Sequence, residues 1–109
     1  MAIANRKFRY ICNMSNLDTI KSILIQLKPE LIEKYSISSI GLFGSIVRND
    51  FTDKSDIDII VDFSKPIGVE FIDLADLIEK KLQKRVDLVS KNGVKPKYFN
   101  EIKSEIIYV

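Results

Sequence analysis

The sequence contains no histidine, and its 109 residues include one cysteine, Cys12. Without histidine there is no Ser-His-Asp or Cys-His nucleophile and no imidazole-ligated metal. A single cysteine makes neither an internal disulfide nor a thiolate metal cluster, and it fits a reducing cytoplasm. No apolar run reaches the roughly 18 residues of a transmembrane-helix candidate. Residues 1–14, "MAIANRKFRYICNM", lack a long apolar core and a small-residue cleavage site, so no secretory signal is expected. A strong charge of either sign is also missing: the formal net charge is +2, too small to imply a nucleic-acid partner by itself. If this chain does chemistry, carboxylates must carry much of it.

What is present describes a single small domain. A hydrophobic fraction of 46% and a charged fraction of 29% are enough for a real core without disulfide support. Charge is unevenly placed. Asp50, Asp53, Asp56, Asp58 and Asp62 crowd the middle, whereas Lys91, Lys95, Lys97 and Lys103 belong to a basic last third.

Residues 1–14 show no period and read as an extension; residues 15–109 read as the domain. Ser15 with Asp18 makes a capping pattern, followed by a helical stripe of Leu17, Ile20, Ile23, Leu24 and Leu27. Pro29 is expected to interrupt that helix and open a second, "PELIEKY". Strands are expected at 37–43, 56–63 and 85–90. A tight turn into a short helix is expected at "GSIVRND", a helix at 69–82, and a last helix over "KPKYFNEIKSEII" opening at Pro96. The fold class is therefore α/β (α+β): a small mixed sheet of three to four strands with helices packed on it. Element order alone leaves open which strands run parallel.

The strand "DIDIIVDF" puts Asp56, Asp58 and Asp62 on one parity and Ile57, Ile59, Val61 and Phe63 on the other. Residues i and i+2 share a face about 6.5–7 Å apart. Two carboxylates so close repel each other, and a divalent cation relieves that conflict. Mg²⁺ takes oxygen ligands and is commonly held by one or two carboxylates plus substrate phosphates. Asp62 lies about 13 Å beyond Asp58 and reads as a solvated strand-end residue. Asp87, within "RVDLV", is the better third ligand if its strand lies beside 56–63. An isolated Asp-x-Asp is a common and weak pattern, which taken alone reads more simply as a solvated sheet face.

Upstream, "LFGSIVR" runs a strand into Gly44 and Ser45. Gly44 permits close approach or a positive φ, Ser45 adds a hydroxyl, and Arg48 follows one turn later, able to reach a phosphate or pair with an aspartate. A cradle for phosphate, then a carboxylate pair, then a third carboxylate is a kit for a metal–nucleotide site.

At this point "GSIVRNDFTDKSDIDIIV" resembles the G-S-x-A-R-G…S-D-x-D signature of the DNA polymerase β-like nucleotidyltransferases. The short chain, "LFGS" and "KRVDLVS" are most similar to its minimal nucleotidyltransferase branch, over about residues 17–109. Val47 stands where alanine is usual, and Asn49 where glycine is usual. The resemblance implies that Gly44, Ser45 and Arg48 bind the nucleotide phosphates. It also implies that Asp56, Asp58 and Asp87 are the catalytic, metal-binding acids, holding Mg²⁺ as two ions. The implied reaction transfers AMP from ATP to a hydroxyl acceptor, with Asp58 bridging both ions and Asp87 able to accept the proton. Almost nothing remains beyond the core to hold that acceptor. The branch is typically encoded beside a HEPN-domain protein, often a toxin, so the acceptor expected is a tyrosine of that partner. Two other readings stay open. One is an antitoxin that neutralises its partner by contact alone. The other is a nucleic-acid-binding domain using the basic last third, for which no aromatic stacking platform is evident.

Overall fold

The computed structural model describes residues 16–48, 52 and 54–109. The extension at 1–14, the Ser15 cap and Asn49 lie outside the described residues. Helix α1 spans Asn16–Tyr35, strand β1 Ile37–Phe43, helix α2 Ser45–Arg48, strand β2 Ile57–Phe63, helix α3 Glu70–Leu82 and strand β3 Val86–Ser90. A 3₁₀ turn at Lys91–Gly93, helix α4 (Pro96–Ile102) and strand β4 (Ile107–Tyr108) complete the order. The sheet runs β3-β2-β1-β4. β1 pairs antiparallel with β2 and with β4, and β2 pairs parallel with β3. The sheet is mixed and has four strands, so the fold is α+β, as expected. No helix among the described residues is long and apolar enough to cross a membrane.

Alternation along the strands explains the layering. Ile57, Ile59 and Val61 of β2 lie opposite or beside Leu42, Ile40, Val86 and Leu88. They are buried with Leu24, Leu27 and Leu31 of α1 and Leu74, Ile78 and Leu82 of α3. This is the main core, and each large aliphatic side chain in it contributes about 1.5–3 kcal/mol. The opposite parity makes a second face. There Phe43 and Ile60 pack with Ile102 of α4, flanked by Val89, Phe99 and Ile106. The second face thus reads Asp58, Ile60, Asp62 along β2: α4 covers its middle and leaves the carboxylates at its ends.

Two expectations are corrected. Pro29 does not end the first helix: α1 is one helix of 20 residues with Pro29 inside it. Proline costs the helix the bond to the carbonyl of Ile25. Ile25 and Pro29 both lie on the exposed side, where water can take that acceptor. Leu24, Leu27 and Leu31 hold both halves on one core. The last helix also stops early, at Ile102, and residues 107–108 form β4 on the edge of β1. The β-branched pair Ile106-Ile107 suits a strand, and the free edge of β1 supplies its hydrogen bonds.

Helix α3 begins without a side-chain cap at Val69. Glu70 instead closes the turn ahead of it: its carboxylate accepts from Gly68 N–H at 2.9 Å. A bond from its own backbone N–H, and then the one from Gly68, hold its carboxyl below the usual range.

Candidate active site

Three segments meet at one end of the second face: the β1–α2 turn, the start of β2 and the start of β3. Asp58 is the register partner of Phe43 in β1 and of Asp87 in β3. Direct partners point to the same side of a sheet, with neighbouring strands about 4.8 Å apart. Asp58 and Asp87 are therefore neighbours on one face. Their side-by-side placement follows from the parallel register, which element order had left open.

Asp58 is half-buried, whereas Asp87 and Asp56 are exposed. Burial, then Asp87, then Asp56, pushes the Asp58 carboxyl up to about 6, while Arg48 opposes the shift. A carboxylate held that far above its ordinary 3.8 lies in a field that a cation would relieve.

Asp56 stands just ahead of the strand rather than in it. Its Oδ1 receives the Arg85 Nε at 3.1 Å, and its side chain is 49% exposed. Arg85 is itself anchored, donating from Nη2 to the Lys54 carbonyl at 3.1 Å. The turn before Asp56 is closed by Thr52 N–H donating to Ser55 Oγ at 3.1 Å and by Ser55 N–H donating to the Thr52 carbonyl at 3.0 Å. Asp62 belongs elsewhere, at the far end of β2, where its Oδ1 accepts from Phe63 N–H at 3.0 Å.

Gly44 is buried and has φ +80°. A Cβ added there would fall on the Asp58 carboxylate. Glycine is thus required twice, by its left-handed backbone and by the acid packed against it. Ser45 opens α2, and the N–H groups of Val47 and Arg48 both donate to the Gly44 carbonyl, at 3.0 and 3.1 Å. Val47, where alanine is usual in the motif, is partly buried against the main core.

Sequence reasoning passed over two residues. Arg85 reads in sequence only as the start of the third strand, yet it pairs with Asp56. Glu105 was placed inside the last helix. It instead reaches back across the sheet: its Oε1 accepts from Gly44 N–H at 3.1 Å and from Arg48 Nη1 at 3.3 Å. No local pattern could have revealed this, because the contact depends on β4 pairing with β1.

Oxygen donors that crowd like charge suit Mg²⁺, and Asp58 with Asp87 gives the two carboxylates such an ion commonly takes from protein. Among the described residues, no three acidic, histidine or cysteine side chains are grouped closely enough to hold a metal by themselves. The donor set fits an ion completed by substrate oxygens, not a closed protein cage.

Comparison with known proteins agrees with this geometry. The model of the nucleotidyltransferase domain matches residues 24–109. The protein adenylyltransferase MntA of Thermococcus cleftensis is 41% identical over 97 residues, covering 88% of this chain and 98% of that one. A provisionally named protein adenylyltransferase of Methanocaldococcus jannaschii is 41% identical over 98 residues, covering 88% of this chain and all of the other. A solved structure, provisionally named a minimal nucleotidyltransferase, superposes with a TM-score of 0.73 at 26% identity, covering 87% of this chain and 96% of that one. The chain belongs to the minimal nucleotidyltransferase family. A second solved structure, the toxin–antitoxin pair MntA-HpeT, shares the fold with a TM-score of 0.62 at 20% identity, over 85% of this chain and 70% of that one. This minimal nucleotidyltransferase is accordingly a nucleotidyltransferase enzyme, and its Gly-Ser turn and aspartates occupy one end of its sheet.

Proposed function

We propose that this minimal nucleotidyltransferase transfers AMP from ATP to a tyrosine hydroxyl of a partner toxin of the HEPN class, and so acts as an antitoxin in the cytoplasm. The observation that carries the reading is the register pairing of Asp58 with Asp87 beneath a positive-φ glycine turn. It sets two carboxylates against the glycine turn that this reading gives to phosphate. The names of the relatives, protein adenylyltransferases, and of the toxin–antitoxin neighbour support the choice of donor and partner.

In this reading Gly44, Ser45 and Arg48 receive the phosphates of the nucleotide. Asp56, Asp58 and Asp87 would hold Mg²⁺, as two ions completed by the nucleotide's oxygens. When bound, the metal lowers the pKa of the attacking hydroxyl and offsets charge on the leaving pyrophosphate. The acceptor oxygen bonds to the α-phosphorus as the bond to pyrophosphate breaks, in line. Asp87, exposed at the edge of the sheet, takes the hydroxyl proton in this reading. Arg85 fixes the Asp56 side chain, and the Thr52–Ser55 turn fixes the approach to it.

The test is intact-mass analysis of the co-encoded partner after incubation with MgATP and this chain. Wild type adds AMP to the partner and neutralises it; Asp58→Asn and Asp87→Asn do neither. Neutralisation by those variants, with no AMP added in any reaction, would establish the contact-only antitoxin instead.

A further inference from the structure

We propose that Glu105 is an internal anion seated on the donors of the phosphate subsite, which the nucleotide's triphosphate must displace in order to bind. The proposal rests on the reading that Gly44 and Arg48 receive those phosphates.

The geometry is that of an exchangeable anion. A single oxygen, Glu105 Oε1, takes both the Gly44 N–H at 3.1 Å and the Arg48 Nη1 at 3.3 Å. A backbone N–H in a positive-φ glycine turn together with a guanidinium is a donor pair that serves carboxylate and phosphate alike. Glu105 lies 61 residues from Gly44, so the contact is made by the fold and not by local sequence.

The backbone under Glu105 is fixed, and its side chain is not. Glu105 N–H donates to the Ile102 carbonyl at 2.9 Å, and Ile102 is buried. The next residue, Ile106, packs where a side chain on Gly41 would stand, and β4 then pairs with Gly41 and Leu42. Those anchors keep the turn in place. The side chain is 25% exposed, so rotation about its own torsions can carry the carboxylate to water and free both donors. Charge favours that exchange once a cation is present. Glu105 is one of the negative groups crowding Asp58, and it is the one with no part in holding metal. Displacement by a metal-bound triphosphate keeps an anion on Arg48 and removes a surplus carboxylate from the acidic cluster.

The experiment is calorimetric titration of magnesium tripolyphosphate into wild type, Glu105→Gln, Glu105→Ala, Arg48→Ala and Glu101→Gln. Each variant is checked for folding by circular dichroism. Glu101 is an exposed acid on α4 and controls for the loss of one negative charge. Glu105→Gln and Glu105→Ala are expected to bind about 3- to 10-fold more tightly than wild type, equivalent to about 0.6–1.4 kcal/mol. Glu101→Gln is expected to stay within about twofold. In wild type, the Gly44 amide resonance should shift on titration as its acceptor changes from carboxylate to phosphate. Unchanged or weaker binding in both Glu105 variants overturns the proposal, as does an equal gain in Glu101→Gln. Arg48→Ala reports on the underlying reading separately. If it binds tripolyphosphate as wild type does, the turn is not the phosphate subsite. If it binds weakly while the Glu105 variants show no gain, only the role of Glu105 fails.

Discussion

Gly44 and Asp58 are coupled by contact, and each yields a prediction of its own. Gly44→Ala must hold a left-handed backbone, at about 1–2 kcal/mol, and must also push away the Asp58 carboxylate that fills its Cβ position. A stability loss of about 2 kcal/mol or more in urea titration is expected, with AMP transfer abolished. Unchanged stability would mean that the acid does not pack on the turn. Asp58 itself has its carboxyl raised to about 6 from an ordinary 3.8. The folded state then binds the proton more tightly than the unfolded chain. Ionisation therefore costs stability as pH rises from about 4 to 6, and the full penalty stands above that range. In chelator, Asp58→Asn should be more stable than wild type near neutral pH, and the difference should shrink to nothing as pH falls toward about 4. Thermal melts across that range check it, and a gain independent of pH would refute it. Saturating Mg²⁺ should narrow the gap at neutral pH. Where these residues gather was partly legible in sequence. Gly44, Ser45 and the three aspartates announce themselves by type and spacing. Glu105 and Arg85 do not, because their partners are set by pairing between distant strands.

The elements show where local pattern is sufficient and where it fails. Strands β1, β2 and β3 were legible within a residue at either end, because alternation and β-branching agree there. The two-sided burial of β2 was not. Ile60 sits on the aspartate parity, yet it is buried under α4, which no period-two pattern in β2 could disclose. β4 was missed because its two residues become a strand only when β1 offers an edge. A proline inside a helical pattern normally ends it, and at Pro29 packing on both sides overrides that preference. Pro29 still lacks its N–H while sitting exposed in mid-helix. Pro29→Ala should restore the bond to the Ile25 carbonyl and raise stability by about 1–3 kcal/mol. Urea denaturation measures this. A loss of stability would mean that α1 needs a bend at this point.

At the scale of the whole molecule, the site is open. Asp56 and Asp87 are exposed and β3 is an edge strand. A cavity of about 500 Å³ lined by Phe63, Ser64, Pro66, Ile67, Phe71 and Asn92 lies toward the other end of β2. Five residue steps along the strand take Asp58 to Phe63, about 17 Å, too far for an acceptor seated in that cavity to reach the acids. In the proposed reaction, the acceptor hydroxyl is then positioned by the partner that carries it. On that proposal, binding of nucleotide and positioning of acceptor are separable. It should bind a non-hydrolysable MgATP analogue equally well with or without its partner. AMP transfer to free tyrosine or to a short tyrosine peptide should be slower by about 10³-fold or more than transfer to the folded partner, because only the partner supplies the orientation that makes the attack effectively intramolecular. Comparing the two rates at saturating nucleotide decides the matter. Similar rates would mean that the chain holds the tyrosine by itself, on a surface that its open acidic face does not display.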